Sequence, residues 1–255
     1  MIEIVHLSKR YGSFQALEDV NLTVQPGEIF GFLGPNGAGK TTTIRIMAGL
    51  LRPTSGTVKI AGFDIRRSPE AAKAILGVVP DRPFLYEKLT GTEFLRFLGS
   101  LYGLHGPSLE GEILALMELF ELEEWKDELI ENYSHGMKQR LVMASAILHR
   151  PKAIVVDEPM VGLDPRGARL VKGIFREQAA SSRVSIFMST HSLEVAQEMC
   201  DRIAILQRGR VIAVGTSDEL QRMAGSSDRD LESIFLRLTG GEDVQELIHA
   251  LRSSR

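Results

Sequence analysis

The amino-acid sequence predicts an α/β fold with a mostly parallel sheet, an N-terminal antiparallel β subdomain and an inserted helical subdomain. In the first third of the chain, apolar and polar residues alternate, and the pattern breaks at Gly12, Pro26 and Gly27, as expected for strands and turns. Residues 90–149 instead show helical spacing, and short apolar runs return after them. Strands that alternate with helices are typical of a parallel sheet.

The elements of the first part follow from local patterns. Residues 1–12 and 16–34 predict strands that are interrupted by turns at glycine and proline. Residues 41–51 have helical spacing, and Pro53 ends that helix. Residues 55–65 predict a further pair of strands.

The second part returns from helices to strands. Helical spacing recurs in three segments, which are 91–104, 109–122 and 136–150. Short apolar runs typical of buried strands follow at 152–159 and 184–191, and a hairpin at 202–215.

These elements predict a main domain and a tail. The domain covers residues 1–220, and its helical subdomain is inserted at about 82–149. Residues 221–255 form a helical tail that begins where the composition turns polar. Within the tail, residues 243–252 predict a short amphipathic helix.

The composition narrows the classes of function. The chain has 255 residues, of which 44% are hydrophobic and 25% charged, and this is enough for one large core. Its net charge of -3 disfavours binding to nucleic acid through bulk charge. The single cysteine, Cys200, excludes an internal disulfide and is expected to be a buried, unreactive thiol. No apolar run approaches the roughly 20 residues of a membrane-spanning helix, so we expect a soluble, cytosolic chain.

A glycine-rich motif, Gly34-x-x-x-x-Gly39-Lys40-Thr41, follows an apolar strand and opens a helix. Glycines allow backbone amides to approach a phosphate, and the helix N-terminus contributes its positive end. Lys40 adds a charge for the terminal phosphates, and the Thr41 hydroxyl is a candidate Mg²⁺ ligand. The motif indicates a nucleoside triphosphate in preference to a glycine-rich turn that binds nothing.

Two carboxylates end the apolar run at 152–159, at the edge of a parallel sheet where such folds bind ligands. Asp157 is expected to hold Mg²⁺ through water, and Glu158 to orient or deprotonate the attacking water. Two solvated acids at a strand end are the alternative. His191 ends the next apolar strand, where it either reaches a γ-phosphate or has a structural role.

Together these motifs resemble the ATP-binding subunit of ATP-binding-cassette (ABC) transporters, over about residues 1–240. The resemblance implies a phosphate-loop NTPase core, an adenine that stacks on Tyr11, and a switch role for His191. It also implies that Asp164, in "GLDP", contacts a second subunit. The residues expected to bind the phosphates are Gly34, Pro35, Asn36, Gly37, Ala38, Gly39, Lys40, Thr41 and Thr42.

The stretch "YSHGMKQRL" (133–141) lies where the family has its signature segment. By resemblance, Ser134 Oγ and the backbone amide of Gly136 face the γ-phosphate of an ATP held by another subunit. The stretch departs from the commonest form because His135 replaces a glycine. Taken alone it also fits an N-capping serine followed by glycine. With the other motifs it implies a head-to-tail dimer around two ATP, formed with a second copy or a paralogous subunit.

A second departure from the family is Asp81, which stands where a glutamine is usual. The family's glutamine contacts Mg²⁺ and the attacking water. A carboxylate is also a good ligand for a hard cation, but it is shorter and adds negative charge. We expect Asp81 to act in catalysis and metal binding and to couple the site to the helical subdomain. A solvated turn aspartate is the alternative.

The resemblance implies an ATPase, with ATP and Mg²⁺ as cofactors, that drives transport through a separate transmembrane permease subunit. Asp81, the signature and the tail at 230–240 resemble the branch that exports drugs, lipids, polysaccharides or antibiotics. Residues 82–98 are expected to receive the permease, although they fit a helical core face equally well. The expected location is cytoplasmic, peripheral on the inner face of the cell membrane.

Two other functions compete with this interpretation. A soluble ABC ATPase without a transport role is disfavoured by the single cassette and the absence of sustained heptads. A phosphate-loop small-molecule kinase would not explain Ser134–Gln139 together with Asp164 and His191. The sequence does not identify the transported substrate, because the path of that substrate lies on another chain.

Overall fold

A computed structural model of the chain describes residues 1–82, 84–225 and 231–239. The strands are β1 (Ile2–Tyr11), β2 (Phe14–Val24), β3 (Ile29–Leu33), β4 (Ser55–Ile60), β5 (Phe63–Asp64), β6 (Leu76–Val79), β7 (Ala153–Asp157), β8 (Ser185–Thr190), β9 (Arg202–Gln207) and β10 (Arg210–Gly215). The α-helices are α1 (Lys40–Met47), α2 (Pro69–Lys73), α3 (Gly91–Leu101), α4 (Gly106–Leu119), α5 (His135–Ile147), α6 (Pro165–Ala180), α7 (Leu193–Met199), α8 (Ser217–Ala224) and α9 (Leu231–Thr239). Short 3₁₀ helices at Glu123–Trp125 and Ile130–Asn132 join α4 to α5.

The main sheet has the strand order β10-β9-β3-β8-β7-β6. Its neighbours run parallel, except that β10 is antiparallel to β9. Every residue of β3, β7 and β8 is buried, as expected for central strands that are covered on both faces. Because β3, β6, β7 and β8 run in the same direction, their carboxyl ends meet at one edge of the sheet.

A second sheet, with the order β2-β1-β4-β5, is antiparallel throughout. Its inward side chains, such as Ile4 and Val20, pack with Phe30 of β3 and Ile46 of α1 in one cluster of buried residues. This confirms the antiparallel β subdomain, and it places β2 beside the loop between β3 and α1.

Helices α3, α4 and α5 occupy the segment in which the sequence predicts a helical insertion. Thr90 begins α3 with a capping box, in which it accepts from the backbone of Glu93 and Glu93 accepts from the backbone of Thr90. Buried residues of these helices, including Phe94 and Leu141, share a cluster with Ile154 of β7. The inserted helices therefore rest on the face of the main sheet to which Ile154 and Val156 of β7 point.

The C-terminal helices pack beside β9 and β10. Leu220 of α8 and Leu231 and Ile234 of α9 are buried in a cluster with Ile205. Helix α8 spans the predicted boundary at residue 220, and that boundary stays a prediction. The predicted helix at 243–252 lies outside the described residues.

Two further predictions concern the membrane and the cysteine. Within the described ranges, no helix combines the length and the hydrophobicity that crossing a membrane requires. The Sγ atom of Cys200 packs so closely on β3 that a Cβ built on Gly31 would lie 2.8 Å from it. Burial raises the pKa of Cys200 to about 12. The thiol is therefore a poor nucleophile near neutral pH, as predicted.

Candidate functional site

The glycine-rich loop lies between the carboxyl end of β3 and the start of α1. Gly39, with φ of +116°, caps this helix in the left-handed region that favours glycine. A Cβ at this position would lie 2.7 Å from the carbonyl oxygen of Ala16 on β2. The loop thus packs closely against the antiparallel sheet. Gly39 is required both because a side chain would not fit and because the backbone conformation favours glycine.

Lys40 is buried within this loop, with 7% of its surface exposed. Its Nζ donates to the carbonyl oxygens of Gly34 at 2.7 Å and Pro35 at 3.2 Å, and lies 4.0 Å from Glu158 Oε1. Burial lowers the pKa of Lys40, while the nearby Glu158 and Asp157 carboxylates oppose that shift. A buried ammonium that donates mainly to neutral carbonyls is suited to binding a phosphate. The negative charge of the phosphate would stabilise the ammonium, which burial has deprived of water.

Asp157 is buried at the end of β7, where two hydroxyls bind its carboxylate. Thr41 Oγ1 donates to Oδ2 at 3.0 Å, and Ser189 Oγ of β8 donates to Oδ1. The sequence analysis did not single out Ser189. The pairing of Asp157 with Ser189 in the parallel register of β7 and β8 is what brings them together.

The donor set around Asp157 fits Mg²⁺. Thr41 and Asp157 present hard oxygen atoms side by side, next to the phosphate loop. Mg²⁺ is usually bound through one or two carboxylates together with substrate phosphates and water. Across the described residues, no group of three or more His, Cys, Asp or Glu side chains forms a metal site, so phosphate oxygens would have to complete the coordination.

Glu158 and His191 meet at the same edge. Nδ1 of His191 lies 2.8 Å from Oε1 of Glu158. His191 directly follows β8, which is the neighbour of β7, as predicted. Glu158 has φ of +51°, a left-handed conformation that costs energy for a residue other than glycine. Its backbone amide donates to the carbonyl of Ser189 at 3.1 Å, which helps to hold this conformation.

These groups line one open cleft of about 490 Å³. Predicted residues in its wall are Tyr11, Asn36, Gly37, Gly39, Lys40, Thr41, Thr42, Asp81, Asp157, Glu158 and His191. The sequence analysis missed three others, which are Phe14, Ala16 and Val161. Phe14 directly follows the turn after Tyr11 and is 62% exposed. The signal available in the sequence was a second aromatic residue three positions after Tyr11.

The remaining predicted residues are placed elsewhere. The carbonyls of Gly34 and Pro35 accept from Lys40, and the side chain of Ala38 is buried. Ser134, Gly136 and Asp164 do not line the cleft.

Ser134 and Asp164 are exposed and act as helix caps. Ser134 Oγ accepts from the amide of Met137 at 3.2 Å, and Asp164 Oδ1 accepts from the amide of Gly167 at 2.9 Å. The starts of the two helices are neighbours, since a Cβ built on Gly136 would lie 3.5 Å from the carbonyl oxygen of Gly162. These residues thus form a second surface that is separate from the cleft.

The fold and the cleft together define a phosphate-loop nucleotide-binding domain. The sequence profile described as "ABC transporter" matches residues 17–161. The chain is 37% identical, over 93% of its length, to the "Probable multidrug ABC transporter ATP-binding protein YbhF" of Escherichia coli (strain K12), and it spans 41% of that relative's length. The chain belongs to the ABC transporter family.

Solved structures agree with this assignment. One, titled "Structure of ATP binding subunit of ABC transporter", has a TM-score of 0.88 and 36% identity, and the match covers 94% of this chain and 99% of the other. Another is titled "Dimeric structure of a post-hydrolysis state of the ATP-binding cassette MJ0796 bound to ADP and Pi". Its TM-score is 0.77 with 25% identity, and the match covers 85% of this chain and 98% of the other.

Proposed function

We propose that this chain is the ATP-binding and ATP-hydrolysing subunit of a membrane exporter, which drives the movement of a substrate through a separate transmembrane permease. The observation that carries the proposal is the convergence of Lys40, Thr41, Asp157, Glu158 and His191 in one cleft of an ABC fold. The name of the multidrug relative supports export of drug-like molecules.

The residues of the cleft have separate roles in this proposal. The loop amides and Lys40 bind the phosphates, and Tyr11 stacks on adenine with Lys9 Nζ 4.9 Å from the centre of its ring. Thr41 and Asp157 would hold Mg²⁺, which supplies neutralisation of charge on the β- and γ-phosphates. Glu158 orients the attacking water and accepts its proton, while His191 positions the Glu158 carboxylate.

Asp81 is proposed to complete the cleft from the side of the inserted helices. It lies two residues after β6, and it lines both the cleft and the groove that contains Phe84 and Tyr86. A residue shared by the two surfaces is suited to link nucleotide binding to a partner in that groove. This supports the coupling role expected from its position in the sequence.

Ser134, Gly136 and Asp164 are proposed to bind across a dimer. They are displayed on a surface outside the cleft of their own chain, so they would face the nucleotide of a second cassette. The dimeric, ADP- and Pi-bound relative supports this arrangement. The second cassette would be another copy of the chain or a paralogous subunit.

An aromatic surface, formed by Phe84, Tyr86 and Phe97, is proposed to receive the permease. The ring centres of Phe84 and Tyr86 are 5.6 Å apart, and those of Tyr86 and Phe97 are 5.5 Å apart. Their residues are 80%, 47% and 40% exposed, whereas Phe94 on the same helix as Phe97 is buried. Helix α3 therefore packs one face against the core, and its other face is exposed and available to a partner.

Co-purification from detergent-solubilised membranes tests the proposed function. Tagged chain should recover a membrane protein of several spans, and this would place the chain peripherally on the cytoplasmic membrane surface. Phe84→Ser should lower that recovery, while Leu114→Ser, at an exposed residue of α4, should not. Recovery of no membrane subunit would favour a soluble ABC ATPase, and transfer of phosphate from ATP to an added small-molecule acceptor would favour a kinase.

A further inference from the structure

A second cleft, of about 610 Å³, lies between the end of α1, strand β4 and the turn after β5. Arg52, Arg66 and Arg67 line it, and all three side chains are exposed. We call this feature the arginine cleft. It contains none of the residues that line the nucleotide cleft.

Among the described residues that line the arginine cleft, Asp64 has the one carboxylate, and it already accepts hydrogen bonds. Asp64 accepts from Thr57 Oγ1 at 2.5 Å and from the backbone amides of Arg66 at 2.8 Å and Arg67 at 3.2 Å. These bonds fold residues 64–67 into a turn that places two arginines side by side. The Arg67 guanidinium interacts with the Asp64 carboxylate through its charge. Within the described parts of the chain, no ion pair within 4.0 Å involves Arg52, Arg66 or Arg67.

The rim of the cleft combines charge with apolar surface. Lys73 of α2 adds a cation, since its Cε would lie 2.8 Å from a Cβ built on Gly49 in the cleft wall. Next to Gly49, Leu50 is 75% exposed. The chain as a whole carries a net charge of -3, so this concentration of positive charge is local and does not follow from the overall composition.

We propose that the arginine cleft binds phosphate-bearing anions, and that its ligand is the headgroup of an acidic phospholipid. Guanidinium groups bind phosphate oxygens through paired hydrogen bonds, and three of them that form no direct ion pair within the described residues keep this capacity free. An exposed leucine beside arginine and lysine is typical of surfaces that bind membranes, because the leucine can enter the lipid interface while the cations attract anionic headgroups. The site goes beyond the proposed transport function and requires no permease.

Vesicle sedimentation tests the proposal with the full chain and lipid alone. Vesicles of phosphatidylcholine with phosphatidylglycerol should bind the chain, and vesicles of phosphatidylcholine alone should not. A basic residue near an anionic surface contributes roughly fivefold to binding, so replacing all three arginines by Gln should weaken it on the order of 100-fold. Added salt should weaken the binding of the unaltered chain.

The chain offers a matched control cluster in Arg150, Lys152 and Arg183, which border a different and larger cavity. Replacing these three residues by Gln changes the net charge equally but should leave vesicle binding nearly intact. The ATPase rate of both triple variants should match that of the unaltered chain, which shows that each is folded. Equal losses in the two triple variants would overturn the proposal, because binding would then follow total charge.

Pyrophosphate distinguishes a lipid headgroup from a soluble phosphate. With the nucleotide cleft filled by ADP, calorimetry should detect pyrophosphate binding that is lost in the arginine triple variant. Binding of pyrophosphate without binding of vesicles would support the phosphate site and overturn the lipid as its ligand. Binding of neither would overturn the whole proposal. The vesicles contain no permease, so this test and the co-purification test fail independently.

Discussion

The nucleotide cleft and the surface formed by Ser134, Gly136 and Asp164 differ in how complete they are. In the cleft, side chains from different strands and helices already bind one another, as in the contacts of Asp157 with Thr41 and Ser189. On the second surface, the side chains of Ser134 and Asp164 accept from backbone amides of the helices they cap. The residues of the cleft are brought together by the fold of a single chain. The hydrogen bonds of Ser134 and Asp164 are instead made within their own helix starts, and both residues are exposed at the surface.

The difference teaches that one chain supplies two unlike halves of a site. The phosphate-binding half needs long-range register, because its carboxylates and histidine come from neighbouring strands. The displayed half needs only two helix starts, with oxygen atoms and amides at exposed positions. Substitutions in the phosphate-binding half should therefore abolish ATP hydrolysis in the chain that carries them. Substitutions in the displayed half should affect hydrolysis through the dimer of two chains.

The largest effect is expected for Glu158→Gln in the cleft. The amide keeps the shape of the side chain but cannot accept the proton of the attacking water. The ATPase rate should fall roughly 10²- to 10⁴-fold, with little change in ATP affinity. Steady-state hydrolysis and equilibrium binding of ATP measure the two quantities. A rate near that of the unaltered chain would remove Glu158 from the proposed role.

A smaller effect is expected for Ser134→Ala on the displayed surface. Loss of the cap should lower the free energy of unfolding by about 1 kcal/mol. Loss of a hydrogen bond to a phosphate should also lower the ATPase rate roughly 10- to 100-fold.

Ser192→Ala is the matched control for Ser134→Ala. Ser192 caps α7 by accepting from the amide of Val195 at 3.3 Å, in the same way as Ser134. The control should lose similar stability in a denaturant titration but keep most of the ATPase rate. If the two variants lose ATPase equally, Ser134 is only a helix cap.

The smallest effect is expected at Asp81, which lies between the cleft and the groove of Phe84. Asp81→Gln keeps an oxygen atom but removes the carboxylate charge that attracts Mg²⁺, so it should raise the Mg²⁺ concentration required for half-maximal ATPase by a few-fold. Asp81→Ala should raise that concentration. Titration of the ATPase rate with Mg²⁺, together with a transport assay, checks both. Unchanged values in both variants would show that Asp81 has no function.

Much of the cleft was predictable because its signals are local. The loop from Gly34 to Thr41 and the strand that ends in Asp157 and Glu158 each combine a buried strand with functional residues directly after it. The fold class followed from the change of hydrophobic period along the chain. His191 was predicted to follow a strand next to that of Asp157, and β8 is the neighbour of β7. Its contact with Glu158 was not predicted.

The rest depends on contacts that the local sequence does not contain. Ser189 becomes a hydrogen-bond donor to Asp157 only through the register of β7 and β8. Strand β6, "LGVV", has four residues, too few for a period to be recognised, and was not predicted. The Asp64 turn that gathers the arginines depends on Thr57 from a different strand.

The most direct test of the account is the assembly state of the Glu158→Gln protein, measured by analytical ultracentrifugation with and without saturating Mg·ATP. We predict a monomer without nucleotide and a dimer with it, because each chain then presents Ser134, Gly136 and Asp164 to ATP held by the other. A second substitution, Ser134→Arg, should prevent the dimer. A protein that stays monomeric with Mg·ATP, even when its permease is present, would contradict the account.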